Sequence, residues 1–316
     1  MPSIPALNYG DKIGVFTASD PIIGTEAQEW VLRGQSSLKK LGFSVLRGKT
    51  LSLQTDHTAG TDQERYNDFL SFIKNPEIKM ILTAMGGENA HDILPLMDFE
   101  VIAKNPKIIM GYSDATVFLN PIFKFSKITT FYGYHLASFD QKWDWFGEYD
   151  KKCFKTLFLE TQQSFEVPAS NKRECWKKGV CEGFLVGGSL TDLAKLIGIP
   201  WEPKWKDSIL ILESMNQTFQ NIDVYLTHFK QAGIFNKISG LLLGTFHNCN
   251  HGPFLKSKKT LKEIFLKNLS DFSFPILKTV DFGHFSHMCP LALGSHCHLN
   301  SIKKTIHILK PLSLKK

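Results

Sequence analysis

The sequence predicts an α/β fold: a mostly parallel sheet covered on both faces by helices, in a chain long enough for two domains. Two observations carry the prediction. Strand and helix signals alternate through the first half at the spacing of βαβ units, a pattern whose strands run parallel. The 316 residues, 43% of them hydrophobic, can also bury a large core and exceed the length of one ordinary domain.

Taken in order, residues 12–17 read as a first strand and 25–41 as an amphipathic helix closed by Gly42. Residues 43–46 form a second strand. A helix over 62–74 starts after Thr61, a good N-cap, and stops at Asn75-Pro76. Residues 79–85 are a third strand, broken by Gly86-Gly87. A strand over 108–110 comes next, then a helix from 115 to about 125 and a strand near 129–131. From 140 to 178 the pattern changes: Trp143, Trp145, Phe146 and Tyr149 lie among charges, and 168–178 is polar and interrupted. This stretch reads as a connection with an exposed loop over the site. A second half begins near Gly179. Gly183, Gly187 and Gly188 crowd one apolar segment, which signals tight turns or close backbone approach. Strands are expected at 208–212, 238–243 and 275–280, and helices at 217–232 and 258–269. The alternation of Ile302, Ile306 and Ile308 marks a last strand. The domain limits that follow are 1–165, a linker over 166–178, and 179–316.

Composition narrows the function classes. No apolar run reaches the roughly 18 residues of a membrane-spanning helix, and the N-terminus lacks the basic start and apolar core of a secretory signal. A cytoplasmic protein with no membrane partner is the expectation. The net charge of +7 is modest for this length. Lys256, Lys258, Lys259, Lys262 and Lys267 suit a solvated helix face, and Lys315-Lys316 a frayed tail. No base-reading motif accompanies them, so no nucleic-acid partner is expected. Six cysteines without C-x-x-C pairs read as reduced, several of them packed as small apolar groups. His247, Cys249, His251, Cys289, His296, Cys297 and His298 are a set rich in potential ligands. Neither C-x-x-C nor H-E-x-x-H spacing occurs among them, and Cys297 and His298 point to opposite sides of a strand, so no metal is expected.

The most informative segment is Lys107-Ile108-Ile109-Met110-Gly111-Tyr112-Ser113-Asp114-Ala115-Thr116. An apolar strand meets a Gly, then a Ser-Asp pair, then a segment able to begin a helix. A sharp strand-to-helix turn lifts one hydroxyl above the sheet and aims the first helical N–H groups at the same point, where they can stabilise an oxyanion. Ser113 is therefore a candidate nucleophile. Ser113 or Asp114 could equally cap the helix, and Ala115 stands where the G-x-S-x-G pattern has its second Gly. Glu213 follows the apolar run 209–212, and His284 follows a strand and a Gly. Each alone could be an ordinary polar residue at a strand end. Together they supply nucleophile, orienting acid and base in the order Ser, Glu, His. A serine hydroxyl needs an imidazole to take its proton, and the imidazole needs a carboxylate to hold its tautomer. Ligands of open α/β sheets sit beyond the carboxyl ends of strands, where Gly86-Gly87 and Ser113 both fall.

These residues resemble the LD-carboxypeptidase family of serine peptidases. Gly111-Tyr112-Ser113-Asp114-Ala115-Thr116, preceded by Asn105-Pro106-Lys107, is similar to its nucleophile motif. Met85-Gly86-Gly87-Glu88-Asn89, followed by Leu94-Pro95-Leu96-Met97-Asp98, is similar to the glycine motif of its microcin C immunity branch. Gly10-Asp11-Lys12-Ile13-Gly14-Val15, the Gly187-Gly188-Ser189-Leu190 turn, the strand ending in Glu213 and the Asp281-Phe282-Gly283-His284 segment fall in family order, so the resemblance spans nearly the whole chain. It implies a flavodoxin-like N-terminal domain, a β-rich C-terminal domain and a site between them, often in a homodimer. It also implies Ser113 as nucleophile, His284 as base and then acid, Glu213 as the residue holding His284, and backbone N–H groups of Gly87 and Asp114 as the oxyanion hole. Gly86, Glu88 and Asn89 would face substrate, and no metal or organic cofactor is needed.

The chain departs from the family at three places. Gly187-Gly188-Ser189-Leu190 replaces Gly-Gly-Asn-Leu, and Gly283-His284-Phe285-Ser286-His287 replaces Gly-His-Thr-Asp-Pro. Thr245-Phe246-His247-Asn248 lacks the acid that immunity relatives place there, which makes His247 a candidate substrate contact. Trp176 is a candidate stacking platform for a base, or a loop tryptophan packed on the domain. Two substrates fit the resemblance: an aminoacyl- or peptidyl-nucleotide, which is favoured, and a muropeptide cut before a terminal D-amino acid. A non-catalytic binding protein on the same scaffold is the other class left open.

Overall fold

The structure, a computed structural model, describes residues 4–140, 142, 146–160, 164–170, 172–253 and 257–309. Trp143, Trp145, Lys256 and Lys315-Lys316 lie outside the described residues. The first half runs β1 (Lys12–Phe16), α1 (Thr25–Lys40), β2 (Ser44–Arg47), α2 (Asp62–Lys74), β3 (Ile78–Thr83), α3 (Phe99–Lys104), β4 (Ile108–Gly111), α4 (Thr116–Ser126) and β5 (Thr130–Tyr132). Next come α5 (Glu148–Phe158), β6 (Ser164–Glu166), β7 (Glu174–Lys177), β8 (Val180–Ser189), α6 (Leu190–Ala194), β9 (Ser208–Met215), α7 (Phe219–Gln231) and β10 (Gly240–His247). The chain continues with α8 (Leu261–Asn268), β11 (Ile276–Lys278), β12 (Leu291–Leu293), β13 (His296–Asn300) and β14 (Thr305–Leu309).

Two sheets organise these elements, in a mixed α/β architecture. In the first, β2, β1, β3, β4 and β5 lie side by side and parallel, the flavodoxin-like order. Strands β1, β3 and β4 are almost wholly buried, as expected of strands covered on both faces. The second sheet has the order β6-β14-β13-β8-β9-β10-β11-β7, parallel across β8 to β11 and antiparallel toward both edges. Strand β12, from the second half of the chain, pairs antiparallel with β5 and so completes the edge of the first sheet. The chain then returns to the second sheet through β13. Among the described residues no helix is long and apolar enough to cross a membrane.

Side-chain hydroxyls set several helix starts. Thr61 accepts from the Glu64 N–H while its own N–H donates to Glu64, and Thr260 and Glu263 do the same for α8. Thr218 caps α7 in the same way, through the Asn221 N–H. The helices expected at 217 and 258 therefore begin later, at Phe219 and Leu261.

Two expectations need correction, and a third resolves to one of its two alternatives. The stretch read as a connection contains α5, which buries Cys153, Phe154, Leu157 and Phe158, and it supplies the edge strands β6 and β7. Within the expected linker 166–178, β7 pairs with β11. Dense charges on α5 and edge strands of three or four residues hid the pattern. The glycine-rich segment 183–190 is mostly the strand β8, and its glycines serve close approach rather than turns. Gly188 has φ +146°, and a Cβ there would lie 2.5 Å from Thr116 Oγ1 and 2.8 Å from the Tyr132 ring. Ile302 lies in an exposed turn before β14.

The segment leading to His284 is held by a buried ion pair. Arg173 Nε donates to Asp281 Oδ2 at 2.6 Å, and its other nitrogens reach the carbonyls of Val167, Pro168 and Lys304. Arg173→Ala leaves the Asp281 carboxylate buried without its cation. The expected loss is about 3–5 kcal/mol of stability, read from the urea unfolding midpoint.

Candidate active site

Strand β4 ends at Gly111, and Tyr112 continues it in extended conformation. Ser113 then turns sharply, with φ +57°, a left-handed conformation that a non-glycine residue adopts at a cost. The helix that follows is not capped by Ser113 or Asp114: its N-cap is Ala115, with no side-chain bond. That removes the capping alternative. Instead the Asp114 carboxylate is fully buried and accepts from Ser19 Oγ at 2.7 Å, the Ala90 N–H at 2.8 Å and Lys195 Nζ at 3.2 Å. It ties the turn to the ends of β1 and β3. The Ser113 hydroxyl makes no hydrogen bond to the described residues and is left available.

The second sheet clamps α4 against this turn. Thr116 Oγ1 donates to the Ser113 carbonyl at 2.6 Å and accepts from the Ser189 N–H at 3.0 Å. The Asn120 amide bridges both backbone groups of Gly187. Strand β8 can come this close to α4 only because Gly188 carries no side chain, while a Cβ on Gly187 would meet the Ile211 carbonyl of β9 at 2.2 Å.

Glu213 lies inside β9 rather than after it, with no solvent exposure. Its Oε2 accepts from both the backbone N–H of His284 at 3.0 Å and the ring Nδ1 at 2.7 Å. Its Oε1 accepts from Tyr132 Oη at 2.6 Å, and Tyr132 Oη in turn accepts the Ser113 N–H at 3.2 Å. A carboxylate only accepts, so the proton of the imidazole bond sits on Nδ1 and leaves Nε2 open as a base. Burial opposes charge on His284, but Glu213 outweighs it and holds the pKa above 6.5. Burial raises the Tyr132 pKa well above 10, so the phenol stays a donor.

Beside the turn, the carboxylates of Glu88, Asp114 and Asp192 converge within 4.8 Å of one another. The ammonium of Lys195 bonds to all three. Burial, then the neighbouring Asp114, pushes Asp192 up to about 6, while the acids outweigh burial at Lys195 and raise its pKa. A cavity of about 780 Å³ opens alongside, lined by Glu88, Thr191, Lys195, Gln217, Tyr225 and His228 among others.

The structure brings most of the expected site residues together. Gly86 lies against Ser113: a Cβ on it would sit 3.1 Å from Ser113 Oγ. Gly87 has φ +141°, and a Cβ there would meet Asp20 at 2.3 Å, while the next N–H, of Glu88, donates to Asp20 Oδ1. Asn89 is left-handed, and its carbonyl accepts from the buried Arg65. His247 stacks on Phe285, the neighbour of His284, with ring centroids 4.5 Å apart. Trp176 goes elsewhere. Its ring packs 5.8 Å from Phe265 of α8 and its Nε1 bonds Glu174, the packed-tryptophan alternative. Tyr132, Asp192, Lys195 and His135 were missed from sequence. Tyr132 ends an apolar strand, and Asp192 and Lys195 are spaced i, i+3 after the Gly-Gly-Ser-Leu turn; these were the only signals.

The chain is similar to known proteins over nearly its whole length. Residues 13–133 match the LD-carboxypeptidase N-terminal domain and residues 182–299 the LD-carboxypeptidase C-terminal domain. A probable murein peptide carboxypeptidase of Bacillus subtilis is 31% identical over 301 residues, 95% of this chain and 92% of that protein. The microcin C7 self-immunity protein MccF of Escherichia coli is 29% identical over 329 residues, 96% of this chain and 94% of that protein. A solved structure of MccF in complex with aspartyl sulfamoyl adenosine superposes with a TM-score of 0.90 at 27% identity, covering 99% of both chains. With both domain matches in order and a relative aligned over nearly its full length, the chain belongs to the LD-carboxypeptidase family.

Proposed function

We propose that this protein is a serine hydrolase with a Ser113-Glu213-His284 triad, cleaving an amide bond in a small peptide-like substrate. The observation that carries the reading is the bonded series from the Ser113 turn through Tyr132 to Glu213 and His284. His284 Nε2 takes the Ser113 proton as Oγ attacks the substrate carbonyl. The N–H groups of Gly87 and Asp114 receive the oxyanion. His284 then hands its proton to the leaving nitrogen, and water releases the acyl group by the reverse sequence. Glu213 stabilises the imidazolium in between. A free serine hydroxyl in the unliganded site is compatible with this, because such bonds often tighten only with substrate bound.

The favoured substrate is an aminoacyl- or peptidyl-nucleotide. MccF is known in complexes with aspartyl sulfamoyl adenosine and glutamyl sulfamoyl guanosine. The second reading is a muropeptide, favoured by the murein peptide carboxypeptidase relative.

Side-by-side assay on an aminoacyl sulfamoyl adenosine and a muramoyl tetrapeptide decides between the substrates. Ser113→Ala lowers kcat on the true substrate by a factor of at least about ten thousand while leaving the unfolding midpoint in place. A variant with wild-type turnover refutes the nucleophile.

The raised His284 pKa gives a pH test. Activity requires the neutral imidazole, so the acid limb of kcat/KM lies above pH 6.5. In Glu213→Gln only Asp192 still opposes the burial effect: the limb moves to lower pH and the maximal rate falls. A histidine whose pKa is raised on folding stabilises the protein fully below its unfolded value of 6.5, and that stability is lost as pH rises through the folded value. The stability gap between wild type and Glu213→Gln therefore narrows as pH rises through 6.5 and on through the raised folded value, as measured by urea titrations.

A further inference from the structure

His135 lies three residues beyond β5, and nothing in its sequence context gave it a role. In the structure it is almost fully buried at the place where the ends of β3, β4 and β5 meet. Its Nδ1 is 2.6 Å from the hydroxyl of Thr83, the last residue of β3. The backbone after it is fastened to the same strand end: the Leu136 N–H donates to the Thr83 carbonyl and the Ala137 N–H to the Ala84 carbonyl. Its ring stacks on Tyr112, the residue before Ser113, with centroids 3.9 Å apart. Tyr112 meets His284 on another side, edge-on at 4.9 Å. The far edge of His135 faces Gly86. A Cβ on Gly86 would lie 3.4 Å from His135 Nε2 and 3.1 Å from Ser113 Oγ, so both atoms border the same small volume.

We infer that His135 is a positioning residue for the proposed hydrolysis, holding the Ser113 turn through Tyr112 and the Gly86-Gly87 loop through Thr83. The inference rests on Ser113 being the nucleophile. The two histidines beside Tyr112 differ in what surrounds them, and this separates their roles. His284 has a carboxylate on Nδ1 and can carry charge. His135 has a hydroxyl there, and burial together with the nearby His284 keeps its pKa well below 6.5, so it stays neutral. A neutral ring places no second charge beside the imidazolium that forms on His284. A registration error of about 1 Å at Ser113 or Gly87 costs on the order of a hundredfold in rate, so a rigid neutral spacer at this junction has a large effect to exert.

The test is the rate at which a fluorophosphonate labels Ser113 in the full chain, which needs no knowledge of the substrate. His135→Phe keeps an aromatic ring against Tyr112 but loses the bond to Thr83. Thr83→Val removes the same bond from the other side, and Thr83→Ser keeps it. The expected result is labelling at least about tenfold slower in His135→Phe and in Thr83→Val, with wild-type rate in Thr83→Ser. The double variant His135→Phe/Thr83→Val is no slower than the slower single variant, because both act through one bond. Wild-type labelling in His135→Phe, or in Thr83→Val should His135→Phe not fold, overturns the inference alone. Losses that multiply in the double variant also overturn it. Failure of the wild-type protein itself to label refutes Ser113 as nucleophile, and the inference falls with that reading.

Discussion

The Tyr132 hydroxyl joins the two sheets at the site, and the rest of the arrangement depends on it. Tyr132 ends β5 in the first sheet, while Glu213 lies inside β9 of the second. The phenol accepts the Ser113 N–H and donates to Glu213, so the strained turn and the buried acid share one atom. A carboxylate without solvent carries a desolvation cost of several kcal/mol. Three donors offset it here: Tyr132 Oη, the His284 backbone N–H and His284 Nδ1. The acid is therefore satisfied only when both sheets are docked and the His284 segment is in place. Assembly of the site and packing of the two halves are the same event.

Other contacts make that docking specific. Strand β12 is built into the first sheet, so the second half of the chain cannot swing away without breaking strand pairing. Lys195, following α6, bridges Asp192 beside it, Asp114 after the turn and Glu88 in the glycine loop. The segment carrying His284 is anchored before and after the histidine. Asp281 is bound by Arg173, Ser170 and Thr279. His287 Nδ1 lies 2.7 Å from Asp150 Oδ2, and the Met288 N–H donates to the same carboxylate. The Asp150 carboxylate thus fixes the loop after the histidine.

Much of the fold was legible from sequence, for reasons that vary by element. The helix over 62–74 was readable to the residue because a capping box opens it and Asn75-Pro76 closes it. The parallel strands around β1, β3 and β4 were readable because burial on both faces makes them continuously apolar. Strands β6 and β7 were not, since an edge strand of three or four residues has no period to detect. Ser113 and His284 were legible as candidates because Gly and polar residues mark the turns that carry them, and Glu213 because it interrupts an apolar run, although it lies inside β9. Trp176 stayed open: an aromatic residue in a polar stretch looks the same whether it faces a ligand or packs on Phe265.

Local chemistry along the chain was enough to determine the parallel sheet, the strand-to-helix turn at Ser113 and the order of the candidate residues Ser113, Glu213 and His284. These depend on hydrophobic period and turn residues, which act over a few positions. The tertiary structure decided that neither Ser113 nor Asp114 caps the following helix, which oxygen of Glu213 faces His284, and that Tyr132, Lys195 and His135 pack around the Ser113 turn. Those outcomes depend on donors and acceptors brought together from positions tens of residues apart, such as Tyr132 and Glu213. Pairing of that kind leaves no local period, so it became visible only once the two sheets were packed against each other.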